Sequence, residues 1–276
     1  MLIDTHCHLN FKTFKGMVKK TIQEAKKAGI NKIIVPGTDL ESSQKAVELA
    51  SRYRKVYASV GIHPHHALET KKLLTSNLLS SLEKLSKNKK VVAIGECGLD
   101  YYHYQKTKYQ KYKIDMGFKK IQKKIFSLQI DLALKLNLPL IIHNRESSLN
   151  LLEIVSKKNK DSGNRLKGVF HSFQGSSKLL AWALKNGFFI GINGIVTFSK
   201  NIESVCKKVS LNNLVLETDS PFLMPRPVKN QKKWPNTPEN VKIIAQRIAN
   251  IKGDSFLRIA QQTSKNAVQL FKLNHD

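Results

Sequence analysis

Short apolar runs alternate along this chain with stretches of helical spacing, and few folds satisfy such a pattern. Each run is rich in valine and isoleucine and is followed by a polar or glycine-containing turn. Continuous apolar runs are typical of strands buried on both faces, as in parallel sheets covered by helices. Eight such runs are predicted strands, at residues 2–8, 32–37, 56–64, 91–100, 138–145, 167–173, 188–196 and 213–219.

Helical patterns lie between these runs. Residues 17–29 end at a glycine, where a C-terminal cap is expected, and residues 39–53 begin at an aspartate that can cap a helix. Parallel strands joined by helices require right-handed crossovers, and eight units are enough to close a barrel. The sequence therefore predicts an α/β fold of the (β/α)8 TIM-barrel type, with a doubly wound open sheet as the alternative.

No internal repeat, low-complexity tract or linker divides the 276 residues. We therefore expect a single barrel domain over residues 1–276. Residues 254–272 are predicted to form one or two additional helices that pack on the outside of the barrel.

The chain is strongly basic, with 47 basic and 20 acidic side chains and a formal net charge of +27. Such an excess attracts polyanions such as nucleic acid, although lysines on solvated helix faces would give the same total. Three cysteines without a CxxC pair do not suggest a disulfide framework or a cysteine zinc site. With no apolar run of the roughly 18 to 20 residues that span a bilayer and no signal peptide pattern, a cytoplasmic protein without membrane contact is expected.

Chemically active side chains cluster where the predicted strands end. In a barrel of this type the active site lies on the loops at the carboxyl ends of the strands. His6 and His8 flank Cys7, so both imidazoles can point to the same side, with Asp4 one layer deeper. Other strand ends carry His63, His65, Glu96, Asp100, His143, His171, Glu217 and Asp219.

This mixture of imidazole nitrogen and carboxylate oxygen suits a borderline divalent ion such as zinc or manganese, while magnesium prefers more oxygen ligands. The candidate ligands outnumber those that one tetrahedral ion requires. Two ions that share one carboxylate would explain the surplus, and Glu96 is the expected bridge. His65, His66, His103 and His275 are interpreted as packing or surface residues, with His65 and His66 exposed in a loop.

Seven motifs occur in the order and spacing of one protein family. They are DTHCHL (4–9), GIHPH (61–65), GECGLDY (95–101), LPLIIHNR (138–145), HSFQGS (171–176), GINGIVTF (191–198) and ETDSPFL (217–223). Each motif alone is weak, because His-x-His opens many amidohydrolase-like barrels, but the ordered set is specific. The chain therefore resembles the TatD family of metal-dependent hydrolases over nearly its whole length.

The resemblance implies a distorted (β/α)8 barrel that holds two divalent ions, with magnesium or manganese expected and zinc as an alternative. Family members are described as magnesium-dependent nucleases, commonly exonucleases that degrade DNA from the 3′ end. The resemblance implies metal ligation by His6, His8, Glu96, His143, His171 and Asp219.

Further roles follow from the same resemblance. Asp219 is expected to orient or deprotonate the attacking water, and Glu96, Glu217 and His63 complete the predicted catalytic set. His63, Arg145 and Tyr101 are predicted to contact the substrate, because Arg145 follows a metal histidine and could meet a phosphate. Residues 101–120 interleave tyrosine with lysine, as in surfaces that stack bases and neutralise phosphates, although a solvated loop is the alternative.

These features predict a metal-dependent hydrolase, foremost a 3′ to 5′ exodeoxyribonuclease in which two divalent ions activate a water. The same ligands would serve a D-aminoacyl-tRNA deacylase or an amidohydrolase, and the net charge of +27 favours a polyanionic substrate over a small amide. A nucleic-acid-binding barrel without catalysis is a third alternative, which the complete ligand set disfavours. We expect a monomer that acts on DNA or another nucleic acid and needs no obligatory protein partner.

Overall fold

The computed structural model describes residues 1–71, 76–105, 108–111, 113–230 and 234–274. Eight parallel strands follow one another around the sheet in chain order. The predicted α/β barrel fold is therefore confirmed. The strands are β1 (Leu2–Asp4), β2 (Ile30–Pro36), β3 (Val56–Val60), β4 (Val91–Asp100), β5 (Leu140–Arg145), β6 (Gly168–Phe170), β7 (Phe189–Ile192) and β8 (Leu214–Leu216).

The two ends of the sheet meet, which closes the barrel. The Thr5 amide donates to the Leu216 carbonyl at 3.0 Å, just beyond β1. One layer higher, the His8 amide donates to the Ser220 carbonyl at 2.8 Å. The alternative of an open doubly wound sheet is therefore wrong.

Helices cover the outside of the barrel. The predicted helices at 17–29 and 39–53 are confirmed as α1 (Val18–Lys27) and α2 (Leu40–Arg52), and Asp39 caps α2 by accepting from the Ser42 amide at 2.7 Å. In the described part of the chain, no helix combines the length and apolar character needed to cross a lipid bilayer. The helices are α1 (Val18–Lys27), α2 (Leu40–Arg52), α3 (Ala67–Lys71), α4 (Ser76–Ser86), α5 (Met116–Leu136), α6 (Ser148–Asp161), α7 (Ser177–Lys185), α8 (Lys200–Lys208), α9 (Arg226–Asn230), α10 (Val241–Lys252) and α11 (Phe256–Phe271).

The predicted C-terminal segment 254–272 forms one helix, α11, which packs at the amino ends of the strands. Ser264 donates to the carbonyl of Met1 at 2.9 Å, and Asn266 donates to the carbonyl of Leu214 at 2.7 Å. A buried cluster joins this helix to every strand, through Ile3, Ile34, Tyr57, Val92, Ala93, Ile141, Val169, Phe189 and Val215. The amino end of the barrel is thereby filled with apolar side chains, and the candidate ligands lie toward the carboxyl end.

Candidate metal centre

Four ligand atoms from three strand ends form the first group. The Nε2 atoms of His6 and His8 lie 3.2 Å apart. Oε2 of Glu96 lies 3.4 Å from His6 Nε2 and 3.7 Å from His8 Nε2. Oδ1 of Asp219 lies 3.6 Å and 3.5 Å from the same two nitrogens. Ligands at about 2.1 Å from a tetrahedral ion are separated by about 3.4 Å, so this group fits one divalent ion.

The second group faces the other oxygen of the same carboxylate. Oε1 of Glu96 lies 3.1 Å from Nδ1 of His143 and 3.0 Å from Nε2 of His171. These two imidazole nitrogens are 3.4 Å apart. The Glu96 carboxylate thus lies between two sets of ligands, one at each oxygen, which is the arrangement expected of a carboxylate shared by two ions.

The electrostatics of Glu96 keep it ionised. Burial by itself raises the pKa of this carboxyl, but His63, His171 and His6 outweigh that effect and hold the pKa well below its usual range. Burial lowers the pKa of His6, which keeps this imidazole neutral and able to bind a metal. The Nδ1 atoms of His6 and His8 have no hydrogen-bond partner among the described residues, and their Nε2 atoms face the cluster.

A buried carboxylate lies behind each histidine of the second group. Nε2 of His143 is 3.0 Å from Oδ2 of Asp100, and Nδ1 of His171 is 3.5 Å from Oε1 of Glu217. Metal-binding histidines commonly pair their second ring nitrogen with a carboxylate, which fixes the tautomer and turns the ligating nitrogen toward the ion. The predicted catalytic residue Glu217 therefore lies behind His171, on the side of the ring away from Glu96.

The same carboxylates change the charge of the two rings. Burial lowers the pKa of His143, but its contacts with Asp100 and Glu96 prevail and raise the pKa to about 9. His171 is raised well above the usual histidine pKa in the same way, by Glu96 and Glu217 against the effect of burial. Both rings must lose a proton to bind an ion, so we infer that metal affinity at this side increases with pH.

Two glycines allow the strands and carboxylates to approach so closely. Gly98 has a φ of +143°, and a Cβ there would overlap the carbonyl oxygen of His143. A Cβ on Gly191 would lie 2.5 Å from Oε2 of Glu217. Both positions therefore require glycine, one for the contact between β4 and β5 and the other for the carboxylate behind His171.

His63 lies beside this centre as a hydrogen-bond donor. Its Nδ1 accepts from the backbone amide of His65 at 3.1 Å, so the proton of the neutral ring is on Nε2. Burial holds the pKa of His63 well below the usual value, which keeps the ring neutral. Nε2 is 3.4 Å from Oε1 of Glu96. The predicted role of His63 in contacting substrate is consistent with an N–H group pointing into the site.

The expectation that His65 is exposed is wrong. The turn Pro64–His66 folds the His65 ring inward, where it is 7% exposed and its Nε2 lies 3.0 Å from Oδ2 of Asp100. His66 is half-buried beside Glu69, whose carboxylate is 3.0 Å from Nδ1 of the ring. His103 is exposed rather than packed, and His275 lies outside the described residues.

Two of the predicted substrate contacts lie in different environments. Arg145 is half-buried at the rim, with its guanidinium 3.8 Å from the ring centre of Tyr102 and hydrogen-bonded to the Tyr104 hydroxyl at 3.0 Å. Tyr101 is only 8% exposed, and its hydroxyl donates to Asn150 at 3.2 Å. The assignment of Tyr101 to substrate binding stays a prediction, because the ring is no more buried than that of His63, which is also 8% exposed.

Asp100 is the site residue whose role the sequence did not reveal. Its position at the end of a predicted strand made it a candidate site residue, but nothing in the sequence indicates that it supports a ligand. In the structure it is 1% exposed, and its Oδ2 accepts from the Tyr104 hydroxyl at 2.8 Å as well as contacting His143. Asp100 thus connects Tyr104 to the second ligand group.

We expect Asp100→Asn to weaken manganese binding about 10- to 100-fold, because an amide can present an N–H to His143 and favour the wrong tautomer. The dissociation constant can be measured by titration calorimetry with manganese. Asp131→Asn, at an exposed carboxylate paired with Lys158, is the matched control. Equal manganese affinity in wild type and Asp100→Asn would contradict the proposed orienting role.

A closed parallel barrel with imidazoles and carboxylates gathered at its carboxyl end is the architecture of metal-dependent hydrolases. The sequence profile of the family described as "TatD related DNase" matches residues 3–272. The chain is 36% identical over 276 residues to the Bacillus subtilis protein named uncharacterized metal-dependent hydrolase YabD, covering 99% of this chain and 100% of that relative. It is 30% identical over 279 residues to the Erwinia tasmaniensis 3′-5′ ssDNA/RNA exonuclease TatD, covering 99% and 100%.

A solved structure agrees with these sequence matches. The crystal structure of YjjV, a TatD homologue from Escherichia coli, has a TM-score of 0.83 to this chain at 29% identity, covering 99% of this chain and 98% of that one. The chain belongs to the TatD family of metal-dependent hydrolases, as its motifs predicted.

Proposed function

We propose that this protein is a metal-dependent nuclease that hydrolyses phosphodiester bonds in single-stranded DNA and releases nucleotides from the 3′ end. The observation that carries the proposal is the Glu96 carboxylate, whose two oxygens face two separate groups of ligand atoms at distances of 3.0–3.7 Å. Sites with two ions are suited to displacement at phosphorus, where both the attacking and the leaving oxygen carry charge.

The proposed ligands divide into two sets. His6, His8 and Asp219 would hold one ion, His143 and His171 the other, and Glu96 both. When bound, such ions lower the pKa of a water and neutralise charge that develops on the phosphoryl oxygens. The chain supplies the rigid placement, since all six side chains lie in, or within four residues after, strands joined by backbone hydrogen bonds.

Asp219 is suited to accept the proton of the attacking water. Its side chain is 14% exposed, against 4% for Glu96 and 1% for His6, so a water and a substrate can reach it. Burial raises the pKa of this carboxyl, but hydrogen bonding to His8 and the charge of His171 lower it on balance. The carboxylate is therefore ionised and can take a proton as the water oxygen bonds to phosphorus and the P–O3′ bond breaks.

His63 and Arg145 complete the proposed substrate contacts. The Nε2–H of His63 can turn from Glu96 to a phosphoryl oxygen, because its present contact is long, at 3.4 Å. Arg145 forms no ion pair with the described carboxylates, so its guanidinium is available for a phosphate. The ring of Tyr104 lies 4.9 Å from the same guanidinium, and this aromatic surface supports the proposed contact of Arg145 with a nucleic acid.

The choice of nucleic acid over a small amide or an aminoacyl ester rests on charge and on relatives. The net charge of +27 attracts polyanions, and relatives about 30% identical carry the name 3′-5′ ssDNA/RNA exonuclease. The DNA assignment within nucleic acids follows the family description, TatD related DNase.

The test is an assay of wild-type protein on a 5′-labelled single-stranded DNA oligonucleotide with manganese. We expect a ladder of products shortened from the 3′ end, with release of mononucleotides, and none after chelation. Matched RNA, duplex DNA, an aminoacyl-tRNA and a small amide are assayed in parallel. Hydrolysis of the amide or the aminoacyl ester alone would overturn the proposal.

A further inference from the structure

An exposed phenylalanine lies at the rim beside the first ligand group. Phe222 is 44% exposed, although it is only three residues after the proposed ligand Asp219. Large apolar side chains normally gain stability by burial, and this ring is not part of the buried hydrophobic core. Its exposure next to a candidate active site is therefore a signal for a ligand.

The backbone around Phe222 is held in place. Its amide donates to the carbonyl of Asp219 at 2.9 Å, and its own carbonyl accepts from the Asn236 side chain at 2.6 Å. The backbone amide of Asn236 donates to the Pro221 carbonyl at 3.1 Å. The exposed ring is thus presented by a fixed turn, which limits the ordering cost of binding a partner.

A second aromatic ring stands beside the first. The Phe11 and Phe222 ring centres are 6.2 Å apart at 72°, an edge-to-face contact. Phe11 also stacks on the imidazole of His8, with 4.3 Å between ring centres and an angle of 18°. These contacts connect a half-buried and an exposed phenyl ring directly to a proposed metal ligand.

Positively charged side chains follow Phe222 in the chain, on the helix α9. The Arg226 amide donates to the Thr197 hydroxyl at 2.9 Å, which fixes the segment after Phe222 against residues 194–197. Arg226 and Lys229 lie 6.0 Å and 5.9 Å from the ring centre of Phe198, itself 41% exposed. Exposed aromatic rings interleaved with cations are the composition of surfaces that bind single-stranded nucleic acid.

We propose that Phe222, supported by Phe11, forms a stacking subsite for the base of the 3′-terminal nucleotide. This inference rests on the proposed nuclease function and names a specificity element within it. In an in-line displacement the leaving oxygen departs on the side opposite the attacking water. Phe222 adjoins Asp219, which lies on the side of the attacking water. The nucleotide beside Phe222 is therefore the released one, which keeps the phosphate. The remaining strand extends away toward Arg145.

The experiment compares two oligonucleotides that differ only in the terminal nucleotide, one with adenine and one with an abasic residue. Phe222→Ala is expected to raise KM about 10- to 100-fold on the adenine substrate and less than about 3-fold on the abasic one, because only the first substrate can stack. Phe222→Tyr should retain wild-type KM, and Phe222→Leu should behave as Phe222→Ala. The wild-type KM should be lower for the adenine substrate than for the abasic substrate by the same factor of about 10 to 100.

Leu257→Ala, which removes an exposed side chain on α11, is the control for loss of apolar surface. Equal effects of Phe222→Ala on both substrates, or a wild type that does not discriminate between them, would overturn the subsite. Thermal unfolding is measured for each variant, and the Tyr and Leu variants keep the test valid if the alanine variant unfolds. A wild type inactive on both oligonucleotides would instead overturn the proposed function itself.

Discussion

Glu96→Gln is expected to reduce nucleotide release from single-stranded DNA about 1,000-fold or more, equivalent to about 4 kcal/mol of barrier. Glutamine keeps the size of the side chain but removes the charge and one of the two acceptor oxygens. Both ligand groups depend on this carboxylate, which lies within 3.7 Å of all four imidazoles proposed as ligands. The rate constant at saturating substrate is measured with manganese, together with the manganese content of the protein.

The control is Glu48→Gln, the same chemical change on the exposed face of α2. It should leave both activity and metal content at the wild-type level. If Glu96→Gln retained full activity while folding normally, the shared-carboxylate account of this site would be wrong.

Asp219→Asn is expected to lower kcat about 100- to 1,000-fold, because the variant loses both an anionic ligand and the proposed proton acceptor. Asparagine is preferred to alanine because Asp219 has a φ of +55°, in the left-handed region that Asn and Asp tolerate better than other non-glycine residues. The backbone hydrogen bond from the Asp219 amide to the His6 carbonyl, 2.8 Å long, should therefore be preserved. Single-turnover rates across pH report the change.

Asp161→Asn, at an exposed position at the end of α6, is the matched control and should be fully active. Wild-type kcat with an unchanged pH profile in Asp219→Asn would exclude this residue from proton transfer. An increase in KM without a change in kcat would indicate a role in substrate binding instead.

The sequence predicts the barrel well because each strand is a continuous apolar run between polar turns, and this periodicity is local. The ends of the strands are less predictable. Residues 2–8 were predicted as one strand, but β1 ends at Asp4 and the chain bends at Thr5 before His6 and His8. The closure between β1 and β8 depends on hydrogen bonds between residues more than 200 positions apart, which no local pattern contains.

The chemistry of the site was predictable in kind because unlike ligand types recur at the ends of successive strands. The contacts that these residues make with their neighbours were not predictable. Nothing in the sequence places the Asp100 carboxylate behind His143, or turns His65 inward through the Pro64–His66 turn. For Tyr101, the last residue of a motif, the sequence does not reveal that the ring is buried.

The central claim is that two divalent ions share the Glu96 carboxylate, and anomalous diffraction from crystals soaked in manganese tests it most directly. The account predicts two manganese peaks at the carboxyl end of the barrel, one beside each oxygen of Glu96. One would be bounded by His6, His8 and Asp219, and the other by His143 and His171. A single peak, or manganese bound away from these residues, would contradict it.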